Sequence, residues 1–326
     1  MCINLFNLIG ERFMEIGGYF GLEASVGREY YPNLIALNSA RNALVYLCKA
    51  KKIEKLYLPY FLCDSILEIC KRENILYEFY HIDERMNPIF NLKLNKGEYI
   101  YIINYYGHLS DEEIYRYYKK YKSVIFDYAQ AFFQRPVYGL DTIYSCRKYF
   151  GVPDGAYLST KDRILEKLER DISMDRMKHI LGRYEGGGKQ YYLDYKKNNE
   201  KFKTLPLMYM SKLTHNLLKM IDYDMVKRKR EKNYLYLQNN LHKYSRFEFE
   251  MPPGPYVYPL YIKGGMKVKK ELAEKEIYVA TLWPNVLGIE NNLEKDFAEN
   301  ILPLPCDQRY GIEEMAKICN ELLLYL

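Results

Sequence analysis

The chain has no run of 18 consecutive apolar residues, which excludes an ordinary membrane-spanning helix. The first residues, MCINLFNLIGERFMEIGG, have no basic cluster ahead of the apolar stretch. That stretch stops at Glu11 and Arg12, so no secretory leader is expected. Tryptophan occurs once in 326 residues and histidine five times. His81, His108, His179, His215 and His242 have no ligand spacing, and there is no HExxH motif or Cys/His cluster, so no metal is expected. The seven cysteines are scattered, odd in number and without a CxxC pair. In a chain long enough to build its own core, this predicts reduced thiols and a cytoplasmic protein.

A strong excess of one charge is also missing. The 48 basic residues are nearly balanced by 42 acidic ones, for a net charge of +6. A basic chain with 36 tyrosines could stack bases and neutralise phosphates, but the charges are mixed in sign along the chain. The densest basic run, Lys227 to Arg230, meets Glu231 at once inside a helical pattern. No nucleic-acid partner is expected, whereas a modest positive field suits a small phosphorylated ligand.

What is present is an ordinary globular balance, 48% hydrophobic and 28% charged, over a length that allows two domains. Short apolar strands are predicted at 55–58, 75–81, 99–103, 123–127, 141–145 and 156–159. They alternate with helical patterns at 40–51, 62–72, 110–121 and 161–172. This alternation implies an α/β fold with a largely parallel sheet. Residues 173–204 are polar, contain Gly186-Gly187-Gly188 and read as a connecting or lid segment, with Arg183 and Lys189 candidates to reach a substrate. One long helix is predicted over 208–243, ended by the PPGP cluster at 252–255. Beyond it come strand 257–262, helix 267–275, strands 277–280 and 301–304, and helix 311–325.

Four motifs fall at the carboxyl ends of these strands, the edge where open α/β sheets bind ligands. LNSARNAL (37–44) leads through Ser39 into a helix whose first N–H groups could hold an anion, although a plain N-cap serine explains it as well. LPYFLCDSI (58–66) brings Tyr60, Phe61 and Cys63 to the edge, where aromatics are more often core than cofactor wall. FDYAQAFF (126–133) ends a strand on Asp127, which must be paired, capping or catalytic, with Gln130 three residues on. YSCRKYFGVPDGAYLS (144–159) carries Ser145 and Lys148. A lysine among aromatics can be desolvated and made nucleophilic toward a carbonyl, but it can equally be a loop residue. His108, after a strand, is a further candidate for the pocket wall.

In their order along the chain these motifs resemble the DegT/DnrJ/StrS family of sugar aminotransferases, which depend on pyridoxal phosphate (PLP) and have fold type I. SARNAL is similar to the family's S-G-T-x-A-L phosphate loop, LPYFLC to its V-P-x-x-T-F turn and FDYAQAFF to its E-D-x-A-Q-A/S motif. Lys148 with Asp154-Gly155 is similar to its Lys with Glu-Gly. IGGYFGLE (16–23) and SKLTHNLLKMIDYDMVKRKRE (211–231) look like its N-terminal segment and long helix. Arg41, Cys63, the shortened Ser145-to-Lys148 spacing and Asp154 depart from the pattern. MYMSKL (208–213) stands where a Gly-Tyr-Asn-x-Arg element would supply an Asn to the neighbour's phosphate.

The resemblance implies a mostly parallel seven-stranded sheet in a PLP-binding large domain (1–240, with an N-terminal arm) and a small C-terminal α/β domain (241–326). It implies that Lys148 forms the internal aldimine and shuttles the proton, and that Asp127 pairs with the pyridine nitrogen. Gln130 would lie against the ring or its 3-oxygen. Ser39, Ala40, Arg41 and Ser145 would hold the phosphate, and Cys63 would cover the ring. It further implies a homodimer with a shared site. The reaction would aminate a keto group of a nucleotide-linked sugar, with glutamate as donor, for a surface polysaccharide or related glycoside. The alternative is a PLP- or ligand-binding member that does not transaminate and serves as a sensor or partner subunit.

Overall fold

The computed structural model describes residues 16–290 and 292–326; the leader reading and Cys2 lie outside the described residues. Helix α1 (Ala40–Lys51) begins where the Ser39 side chain accepts from Asn42 N–H, and it ends at Lys52 in the left-handed region, φ 52°. The acidic stretch at 111–113 starts α3 (Asp111–Tyr121) through a capping box between Ser110 and Glu113. Helix α2 spans Asp64–Arg72.

Between these helices run β1 (Ile35–Leu37), β2 (Lys55–Pro59), β3 (Leu76–Ile82), β4 (Pro88–Ile89), β5 (Glu98–Ile103), β6 (Val124–Asp127), β7 (Asp141–Ser145) and β8 (Ala156–Ser159). They form one sheet in the order β1-β8-β7-β6-β5-β2-β3-β4. The sheet is parallel from β3 through β7, and β8 is antiparallel to both β7 and β1. The carboxyl ends of β1, β2, β5, β6 and β7 therefore share one edge. The expected seven strands are joined by an eighth, the two-residue β4, which pairs antiparallel with β3. On β5, Ile100, Tyr101, Ile102 and Ile103 are all buried, which explains their unbroken apolar run. Removing each such side chain from water stabilises the fold by roughly 1.5–3 kcal/mol.

The C-terminal part pairs β9 (Val257–Tyr261) with β10 (Ile301–Pro305), antiparallel, beside α8 (Gly265–Glu274), α9 (Leu293–Asn300) and α10 (Ile312–Leu322). Leu260, Leu272, Leu304 and Met315 form a second core with Tyr234, Leu237 and Leu241.

Several expectations fail for identifiable reasons. The helix predicted at 161–172 is absent. That segment is an extended strap across α1, with Asp162 on Lys51 at 2.5 Å, Ile164 N–H on the Tyr46 hydroxyl and Arg170 bridged to Tyr209. These tertiary contacts override its helical pattern. The polar segment 173–204 is not loop but α4 (Lys178–Gly186) and α5 (Tyr192–Thr204), joined at the glycine triplet. The long helix breaks into α6 (Lys212–Lys219) and α7 (Tyr223–Leu241), because Asp222 caps a new start by accepting Met225 N–H at 2.9 Å. Residues 277–280 pair with no strand among the described residues; Ile277 N–H instead closes α8 on Leu272 O.

Candidate functional site

At the shared carboxyl edge lies a cavity of about 300 Å³. Ser39, Ala40, Arg41, Cys63, Asp127, Gln130, Ser145 and Lys148 all line it. The start of α1 supplies the first three, the turn into α2 supplies Cys63, the end of β6 leads to Asp127 and Gln130, and the end of β7 leads to Ser145 and Lys148. Gly155 completes the wall at φ 117°, where a Cβ would stand 3.0 Å from Thr214 Cγ2. That position needs glycine for both its backbone and its lack of bulk.

Asp127 accepts from the Tyr101 hydroxyl at 2.8 Å and from Ala129 N–H at 2.7 Å. Two carboxylate oxygens offer about four lone-pair directions, so acceptor capacity remains. Burial first, and then the nearby Asp127, push the Tyr101 hydroxyl well above its ordinary pKa, so it stays a donor. Gln130 Oε1 accepts Tyr106 N–H at 2.8 Å, which fixes the amide orientation. Its Nε2 is left buried with no partner among the described residues. Tyr106 holds φ 55°, a left-handed backbone uncommon for tyrosine.

Ser39 both caps α1 and faces the cavity. The Ala40 and Arg41 N–H groups stand in the first helical turn, where no intrahelical acceptor exists. Cys63 Sγ accepts from the Ser65 hydroxyl at 3.2 Å. Lys148 is exposed rather than desolvated: it ends a single 3-10 turn at the rim of the cavity, with its amine 5.7 Å from the Tyr256 ring centroid. The backbone beside it is firmly held: Tyr149 O accepts from Gln308 Nε2 at 2.7 Å and from Arg230 Nη2 at 3.3 Å.

Sequence reasoning missed Tyr101, Arg147, Tyr195, Asn199, Phe202 and Trp283, which also line the cavity. Tyr195, Asn199 and Phe202 follow i, i+4, i+7 spacing on α5, one helix face, and that signal was available. Arg183 and Lys189 do not line the cavity, and neither does any residue of 208–213. His108 is not in the wall either. It is half-buried, its Nδ1 faces Tyr105 O and its ring stacks 4.3 Å from Phe249. Asp154 is structural: it accepts from Ser211 N–H at 2.8 Å, the Ser211 hydroxyl at 2.7 Å and the Thr214 hydroxyl, anchoring the start of α6.

The residues fit PLP. A helix start with free N–H groups and an arginine suits the phosphate, an acid ends β6 at the same sheet edge, and an unpaired amide and an amine also line the cavity. No protein-family model matches the sequence, and no curated protein matches it. Solved structures do. The sugar aminotransferase CalS13 of Micromonospora echinospora aligns with TM-score 0.62 at 12% identity, over 89% of this chain and 87% of its own. A DegT DnrJ EryC1 StrS aminotransferase from Brucella abortus aligns with TM-score 0.58 at 14% identity, over 90% and 85%. Spr1654 of Streptococcus pneumoniae, in its PLP form, aligns with TM-score 0.61 at 12% identity, over 89% and 86%. The chain has the fold of the DegT/DnrJ/EryC1/StrS aminotransferases. At these identities the likeness is one of fold, and the chemistry must be argued from the cavity.

Proposed function

We propose that the protein is a PLP-dependent aminotransferase that aminates a keto group on a nucleotide-linked sugar, with glutamate as donor. The observation that carries this reading is the meeting of Lys148, Asp127, Gln130 and the start of α1 in one cavity. When bound, PLP supplies a reactive aldehyde carbon and an electron sink for amino-group transfer.

The chain's own groups then have distinct tasks. Lys148 holds the cofactor through its amine and carries the proton to and from the substrate carbon. Asp127, fixed by Tyr101 and Ala129, keeps a proton on the pyridine nitrogen. A charge-assisted bond of that kind is worth roughly 1.5–3 kcal/mol. Gln130 offers its free N–H bonds to the ring's 3-oxygen, since its amide nitrogen is the unpaired donor and the bond from Tyr106 N–H to its carbonyl fixes the orientation. Ser39, Ser145 and the Ala40 and Arg41 N–H groups hold the phosphate, and Cys63 lies at the ring face.

A homodimer belongs to this proposal. Ile16, Tyr19, Phe20, Leu22 and Val26 are each more than 60% exposed on the N-terminal arm, as are Tyr184 and Leu193 beside the cavity's α5 wall. Such apolar exposure suits a second copy covering the open mouth where Lys148 lies.

Adding glutamate to the PLP-loaded protein tests the reading. Conversion to the pyridoxamine phosphate spectrum supports transamination. Cofactor uptake with no conversion by any amino donor favours the ligand-binding alternative, which Arg41 and Cys63 at the site motivate.

A further inference from the structure

Arg147 immediately precedes Lys148 yet turns away from the mouth, toward α1 and α5. Its Nη2 donates to Asn199 Oδ1 at 2.6 Å, and its guanidinium carbon lies 4.4 Å from the Phe202 ring centroid. Arg41 reaches the same residue, donating from Nη1 to Asn199 O at 3.4 Å. Asn199 thus gathers two guanidinium groups beside the start of α1, and all three residues line the cavity.

Neither arginine has a carboxylate partner among the described residues. The neighbouring Arg176 does, bonding Asp171 at 2.6 Å. Arg147 Nε is buried with no acceptor among the described residues. Burial brings Arg147 down to about 10, with Arg41 and Arg176 pushing the same way. Two guanidinium groups without a carboxylate partner among the described residues and a helix start share one corner, and their summed positive charge suits an anion of more than one charge. The planar fork of arginine matches phosphate oxygens.

We infer that Arg147, positioned by Asn199, binds the cofactor's phosphate together with Arg41, so that α5 of the same chain closes the phosphate site. This rests on the cofactor reading given above. It adds to that reading a positioning helix and a charged side chain that the motif order did not indicate. The corner also accounts for the departure at Arg41: Asn199 supports two cations where the sequence has no Asn in 208–213 to offer.

The test compares PLP with pyridoxal, which lacks the phosphate. The single tryptophan, Trp283, lies in the cavity wall and reports binding through its emission without any activity assay. In R147M the PLP Kd should rise roughly tenfold to a hundredfold while the pyridoxal Kd stays within about twofold, with R147K between. An unchanged PLP Kd, or equal weakening of both ligands, overturns the inference. If R147M does not fold, N199A serves instead. It should weaken PLP several-fold and spare pyridoxal, and an equal effect on both, or none, again overturns it. If the wild-type protein takes up no PLP, inorganic phosphate separates the two ideas. Phosphate binding that depends on Arg147 keeps the anion corner and removes the cofactor reading, and no phosphate binding removes both.

Discussion

The Tyr101 hydroxyl donates to Asp127 Oδ2 at 2.8 Å, from a strand position that is 1% exposed. This bond joins β5 to the end of β6 and leaves the other oxygen to Ala129 N–H. Replacing Tyr101 with Phe removes the donor but keeps the ring. The expected loss is about 1 kcal/mol of stability to urea and a fall of about tenfold in transamination by the PLP-loaded protein. A rate equal to wild type in Y101F would show that Asp127 needs no such support.

Asp127 itself is tested by the isosteric D127N. The shape is kept and the charge that would hold the pyridine proton is lost. Glutamate half-transamination should slow by about tenfold to a hundredfold, the equivalent of roughly 1.5–3 kcal/mol, while circular dichroism stays unchanged. Stopped-flow absorbance reads the rate directly.

Lys269 gives a pH dependence independent of the site. Its amine is buried and donates to Ala298 O at 3.0 Å, and burial lowers it from 10.5 to about 8. A base with a depressed folded-state pKa binds fewer protons folded than unfolded. Stability must therefore rise with pH between about 8 and 10.5, by up to roughly 3 kcal/mol. Urea melts of wild type and K269M across that range should diverge, with the rise missing from the variant.

The exposed arm predicts association. Light scattering should give twice the chain mass of 39.0 kDa. Changing Tyr19 and Phe20 together to Ser should shift the population toward monomer, since each is at least 95% exposed on one chain.

How much of this was legible depended on the kind of signal. Strand β6 and Asp127 could be read because an unbroken apolar run ends on an acid, and the extent of α1 could be read because Ser39 is a cap. Tyr101 could not: a strand buried on both faces does not tell which side chains meet the ligand until its register with β6 is known. The α5 wall carries one signal, Tyr195, Asn199 and Phe202 at i, i+4 and i+7, but YLDYKKNNEKFKT is otherwise polar nearly throughout and follows a glycine triplet, so it reads as loop. Arg147 sits beside the motif lysine and Asp154 is itself a motif residue, but only packing separates the cavity-lining arginine from the structural acid. The strap at 161–172 carries a helical pattern that contacts with α1 overrule.

The account stands on Lys148 as the amine that holds the cofactor. Borohydride reduction of the PLP-loaded protein, followed by peptide mass spectrometry, tests this most directly. The account predicts a single pyridoxyl group on Lys148, absent from K148A. A label spread over surface lysines, or one retained at full yield in K148A, would contradict it.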